Sequence, residues 1–113
     1  MNDCLFCKIL KGEIPSTKVY EDEFVYAFND ISPVAPFHAI VIPKVHITSA
    51  NDVNSENSIY IAKVYEAIAK IAEQECLEKG YRVVNNCGED GGQTVGHIHF
   101  HLLARRNLQW PPG

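Results

Sequence analysis

Apolar positions change their spacing several times along the chain, and each change marks an element. From Cys4 to Leu10 they cluster as in a short helix, which Gly12 and Pro15 bring to an end. Lys18 to Asn29 reads as a hairpin: Val19 and Tyr20, then Phe24 to Phe28, flank the acidic turn Glu21-Asp22-Glu23. Two prolines make Asp30 to Pro36 a loop, because they fix the backbone and remove ladder donors. His38 to Ile42 is an apolar run of strand length closed by Pro43. The one long helix is predicted over Ser55 to Lys79. There Ile61, Val64, Tyr65, Ile68, Ile71, Ala72 and Cys76 recur every three or four positions, and Gly80 supplies the stop. Tyr81 to Asn86 reads as a strand, Gly88 to Gly96 as a glycine-rich loop, and His97 to Ala104 as a last strand. The order predicts an α+β domain, a five-stranded antiparallel sheet with one long and one short helix.

Composition narrows this only in part. A chain of 113 residues, 46% hydrophobic and 21% charged, has room for a single domain spanning 1–113 and the balance of a folded one. No linker, repeat or low-complexity tract divides it. The formal charge of -4 and a total of three arginines lack the basic footprint that phosphate-backbone binding requires, so nucleic acid is not an expected partner. Neither a basic run nor a long apolar segment points to a membrane. The opening Met1-Asn2-Asp3-Cys4 is acidic where a secretory signal would be basic, which makes the cytoplasm the expected compartment. Five histidines and four cysteines are the unusual entries for so small a chain.

Three of those histidines alternate in His97-Ile98-His99-Phe100-His101-Leu102-Leu103. On a strand His97, His99 and His101 share one face, roughly 7 Å apart, while Ile98, Phe100 and Leu102 take the other. A solvated polar face would not need this arrangement. Two chemistries would use it: a metal held by an H-x-H pair with a further ligand, or an imidazole nucleophile oriented by its neighbours. The loop before the strand contains four glycines, Gly88, Gly91, Gly92 and Gly96, which permit close backbone approach to an oxyanion. Beside aligned histidines such a loop favours a phosphate cradle. A neutral imidazole can attack phosphorus near pH 7 and leaves an adduct labile to water.

These residues resemble the signature of the histidine triad family, His-x-His-x-His-x-x with apolar x. The likeness runs through Phe28-Asn29-Asp30-Ile31-Ser32-Pro33, Ala35-Pro36-Phe37-His38, Val41-Ile42-Pro43-Lys44, Gly91-Gly92-Gln93-Thr94-Val95 and the end Trp110-Pro111-Pro112-Gly113, all similar to its nucleotide-binding branch. The resemblance implies the family's fold and a purine nucleoside phosphoramidase or nucleotidyl hydrolase. His99 would attack the α-phosphorus to form a covalent nucleotidyl-histidine, His101 would contact the phosphate, His38 would orient the triad and the Thr94 hydroxyl would bond the departing amine. His101 stands where the transferase branch has Gln, which favours hydrolysis. The implied nucleotide contacts are Asp30 on the ribose, with Asn29 beside it, and Leu5, Phe6, Ile9, Phe28 and Ile31 around the base. Asn86, Gly92, Gln93 and Thr94 would meet phosphate and ribose, together with His99 and His101. Ligands so implied are a purine nucleoside monophosphate or its phosphoramidate. Dinucleoside polyphosphate hydrolysis and a scaffold role with vestigial catalysis are the alternatives. A homodimer is implied too, with the Trp110-Pro111-Pro112 tail reaching towards the partner. Gly96, Asn29 and Arg105-Arg106 depart from the family's usual aromatic, histidine and small pair, which bears on the leaving group rather than on the nucleophile.

Cys4 and Cys7 have the spacing of a zinc half-site. A redox pair would start a helix after a strand, and only three residues precede Cys4. Zinc needs two further ligands, and His46 has no other assignment. Relatives with the same N-terminal pair complete the set with the positions of His46 and His97, implying one structural zinc per chain on Cys4, Cys7, His46 and His97. Cys76 and Cys87 read as packing residues.

Overall fold

Residues 3–113 are described here from a computed structural model; Met1 and Asn2, part of the N-terminal reading above, lie outside the described residues. Five strands form one antiparallel sheet in the order β1-β2-β3-β5-β4. They are β1 (Lys18–Glu21), β2 (Val25–Asn29), β3 (Phe37–Pro43), β4 (Tyr81–Val84) and β5 (Phe100–Ala104). Three α-helices accompany them: α1 (Leu5–Leu10), α2 (Ser58–Gln74) and α3 (Gly88–Gly91).

The strand period of two splits the sheet into two differently packed faces. Val25 and Ala27 of β2, Phe37, Ala39 and Val41 of β3, and Phe100, Leu102 and Ala104 of β5 meet Val64, Ala67, Ile68 and Ile71 of α2 in the main core. The intervening residues Phe28, Ile40 and Ile42 join Phe6 of α1 in a smaller cluster on the opposite face. β3 is buried along its whole length because both faces are covered. Pairing of Ile40 with His101 and of His38 with Leu103 puts two histidines on the smaller face.

Several boundaries differ from those expected. The hairpin turn sits at Asp22 to Phe24, because Asp22 Oδ1 accepts from the amides of Phe24 (2.8 Å) and Val25 (2.9 Å) and closes an Asx-type turn. The long helix is shorter than Ser55 to Lys79 at both ends. Asn54 Oδ1 takes the Glu56 and Asn57 amides while Asn57 Oδ1 takes the Asn54 amide, a reciprocal lock that delays the start. At the far end Cys76 turns left-handed (φ 57°) and the Leu77 amide reaches back to Ala72 (2.9 Å), a Schellman closure with cysteine where glycine is usual. That leaves Cys76 exposed rather than packed, whereas Cys87 is half-buried. β4 stops at Val84, two residues before Asn86, and the glycine-rich loop contains the single turn α3, which periodicity had no means to show. The last strand starts at Phe100, paired with Val41, because before it the Ile98 amide bonds the Ile47 carbonyl (2.6 Å) rather than β3. The alternation nevertheless persists, with Ile98 in the main core and His97 and His99 buried on the other side.

Candidate active site and metal centre

His99 and His101 flank Phe100, whose burial in the main core turns both imidazoles to the smaller face. Their rings are 5.2 Å apart, closer than ideal strand spacing. His99 Nδ1 lies 2.8 Å from the His97 carbonyl oxygen. A carbonyl only accepts, so Nδ1 holds the proton and Nε2 keeps its lone pair. Nε2 makes no bond among the described residues, and no buried side-chain nitrogen is left unpaired there, so it opens onto the surface of the site. Phe6 packs its ring edge-on to His99 at 5.0 Å and limits its rotation. Asn85 Nδ2 donates to the His99 carbonyl at 2.9 Å, replacing a ladder bond that β4 no longer supplies. Sequence reasoning missed Asn85: two consecutive asparagines after a strand give no sign of which one turns inward.

His38 Nε2 stands 2.8 Å from His101 Nδ1 and 3.2 Å from Asp30 Oδ2. Burial pushes His38 below its ordinary pKa, opposed by the Asp30 carboxylate. It does the same to His101, helped by His99 and His38 and again opposed by Asp30. Both rings are thus neutral near pH 7, and the contact with Asp30 is dipolar rather than an ion pair. Asp30 also accepts from the Ser32 amide at 2.8 Å through Oδ1, so one oxygen shapes the turn and the other faces the histidines.

The remaining sequence-derived positions differ in burial and surroundings. Phe6 and Phe28 are buried against each other at 5.6 Å, with Ile9 partly buried beside them. Leu5 is half-exposed, Ile31 is 98% exposed and Asn29 is exposed. Asn86 is half-buried. Gln93 braces the glycine-rich loop: Oε1 accepts from the Gly88 amide (3.0 Å), and Nε2 donates to the carbonyls of Thr48 (2.8 Å) and Val95 (3.0 Å). Gly92 ends α3 at φ 76°, where a side chain would be strained. Thr94 is exposed in a cleft of about 470 Å³ with Leu5, His46 and Gly96.

Cys4, Cys7, His46 and His97 bring one ligand atom each within 4.8 Å of one another. Cys4 caps α1, its Sγ accepting the Cys7 amide at 3.2 Å, so the helix turn itself sets the thiol spacing. The Sγ to Nδ1 distances are 3.4 Å (Cys4 to His97), 3.4 Å (Cys7 to His46) and 3.6 Å (Cys7 to His97). A tetrahedral zinc with ordinary bond lengths separates sulfur from nitrogen by about 3.5 Å. His97 Nε2 donates to the Pro43 carbonyl at 3.1 Å, which leaves the Nδ1 lone pair facing the thiols. Burial holds His97 neutral, its pKa lowered to about 4. Burial and the neighbouring Cys4 push the Cys7 thiol up to about 11, a penalty that a bound cation removes. His97 and His99 therefore face different neighbours, and the two do not form an H-x-H metal pair.

A family model described as HIT domain matches residues 11–108. A purine nucleoside phosphoramidase from Escherichia coli (strain K12) is 48% identical over 107 residues, covering 94% of this chain and 90% of that protein. A 14 kDa zinc-binding protein from Zea mays is 51% identical over 114 residues, covering 96% and 87%. The crystal structure of a HIT family hydrolase from Legionella pneumophila Philadelphia 1 superposes with a TM-score of 0.95 at 52% identity, over 98% of this chain and 100% of that one.

Proposed function

Because this chain belongs to the histidine triad (HIT) family, we propose that it is a purine nucleoside phosphoramidase working through a covalent nucleotidyl-histidine. The observation that carries the reading is the unpaired Nε2 of His99, its Nδ1 proton held by the His97 carbonyl. In the first step Nε2 attacks the α-phosphorus and the phosphorus–nitrogen bond to the amine breaks. The amine takes a proton from solvent as it departs, with the Thr94 hydroxyl hydrogen-bonded to it, and His101 contacts the phosphoryl oxygens. Charge that develops on the His99 ring is met by the His97 carbonyl. Water then attacks phosphorus and gives up a proton to solvent, the bond from phosphorus to Nε2 breaks, and His99 is freed as the nucleoside monophosphate leaves. His38 orients His101, and Asp30 offers the ribose hydroxyls its Oδ2. Phe6, Ile9 and Phe28, with Leu5 and Ile31 at the rim, form the base slot, Asn29 lies beside Asp30, and Asn86, Gly92 and Gln93 complete the phosphate side.

The same reading assigns one structural zinc per chain to Cys4, Cys7, His46 and His97, supported by the tetrahedral separations and by a zinc-binding relative. When bound, the metal supplies a closed four-ligand clamp with no open position for substrate. A homodimer and a cytoplasmic location, where thiols stay reduced, belong to this reading as well.

The test compares wild type with His99→Ala on an adenosine phosphoramidate. Hydrolysis should fall at least about 100-fold, while adenosine monophosphate still binds by calorimetry. Unchanged hydrolysis would refute the mechanism; no hydrolysis by either protein, with binding intact, would favour the scaffold role.

A further inference from the structure

The loop from Asp30 to Pro36 and the segment after β5 are tied to the histidines by bonds that no part of the proposed reaction uses. The Val34 amide donates to His38 Nδ1 at 3.1 Å. A backbone amide can only donate, so Nδ1 of His38 is an acceptor and its ring proton sits on Nε2. That Nε2–H lies between His101 Nδ1, 2.8 Å away, and Asp30 Oδ2 at 3.2 Å; a second proton on the 2.8 Å line would clash with it, so His101 Nδ1 carries none and is an acceptor. The ring proton of His101 is thereby fixed on Nε2, which makes no hydrogen bond among the described residues. Val34 is itself held from outside: Arg106 Nε donates to the Val34 carbonyl at 3.0 Å. The Val34 side chain is 58% exposed, so packing is not what positions this residue.

We propose that Arg106 and the Val34 amide are positioning groups that set the tautomer of His38 and, through it, present His101 to substrate as an Nε2–H donor. The relay runs from the Arg106 guanidinium to the Val34 peptide, then to His38 and to His101. It makes His101 a fixed donor to an anionic phosphoryl oxygen, a role its other tautomer, with a lone pair on Nε2, would oppose. It also has a consequence for metals. Asp30, His38 and His101 converge within 4.8 Å like a ligand set, but His38 has no free lone pair to give while Val34 donates to it. This cluster therefore takes no metal, and the chain binds one equivalent rather than two.

The inference rests on the proposed reaction for its catalytic meaning, but its primary test does not. Proton–nitrogen correlation spectra of the histidine rings of the wild-type protein should show His38 and His101 protonated at Nε2 and bare at Nδ1. A proton on Nδ1 of His38 would overturn the relay whatever the activity. Val34→Pro deletes the donor next to an existing proline. In that variant the His38 tautomers should mix, His101 should follow, and kcat on the phosphoramidate should fall by up to about tenfold with KM little changed. Should Val34→Pro fail to fold, Arg106→Ala should shift the same ring signals in the same direction, and Arg106→Lys should restore them in part. Ring signals identical to wild type in a folded variant would refute the claim, as would a second equivalent of zinc bound by Asp30 and His38. Correct tautomers in a protein without phosphoramidase activity would sink the proposed function and leave the relay standing.

Discussion

His38 and His101 share one small buried space with Asp30 and His99, and the balance among these groups sets a pH range. Burial lowers both imidazoles and Asp30 only partly offsets it, so the folded protein resists protonation at pH values where an unfolded histidine, near 6.5, already gains a proton. As pH falls through that value the unfolded chain binds more protons than the folded one, and stability present above it is progressively lost. The ring nitrogen signals of His38 and His101 should accordingly titrate below the ordinary histidine value, and urea midpoints should decline over the same interval. Titration of these two rings at or above 6.5 would contradict the burial argument. At this scale much was legible in the sequence. Alternation alone put His99 and His101 opposite Phe100 and Leu102, as found. The bonds of Val34 and Asn85 were not legible, because each is a single contact that no periodicity marks: the Val34 amide to His38, its carbonyl to Arg106 72 residues on, and Asn85 to His99 14 residues on.

Elements depart from expectation where backbone conformation overrode residue type. Gly80 was the expected helix stop and does adopt positive φ (97°), yet α2 ends earlier because burying Leu77 requires the chain to turn at Cys76. A non-glycine residue in the left-handed region costs roughly 1–2 kcal/mol, and glycine returns part of that through a more flexible unfolded chain. Cys76→Gly should therefore stabilise the protein by about 0.5–1 kcal/mol net. The side chain is exposed, so little packing is lost. Calorimetry should show Tm rising by a few degrees; a fall would mean that the cysteine makes contacts absent from this structure. The glycine-rich loop follows the same lesson. Its glycines were legible, but its shape depends on the Gln93 side chain bonding at three places, which composition does not encode.

The whole molecule presents β1 and β4 as sheet edges, and β4 lies next to the C-terminal segment, where Arg82 donates to the carbonyls of Leu108 (3.4 Å) and Gln109 (3.0 Å). Ile59, Tyr65, Tyr81 and Trp110 are large apolar side chains left substantially exposed, Trp110 at 81%. Pairing of two chains through such surfaces predicts a dimer mass in sedimentation at micromolar concentration and shielding of Trp110 fluorescence from a soluble quencher; a monomer would remove the homodimer from the proposed function. The two faces of the sheet also differ in depth. α2 anchors the main core, whereas α1 rests on Phe6 with Ile9 and Leu10, beside the cluster of Cys4, Cys7, His46 and His97. Local opening of α1 thus exposes few apolar contacts, and without metal it should open far more readily than the sheet unfolds. Amide hydrogen exchange should show α1 losing protection as a unit when zinc is chelated, with α2 and the central strands unchanged. The lifetime of the wall that Phe6 provides beside His99 would then be set by the residence time of the metal rather than by the stability of the fold.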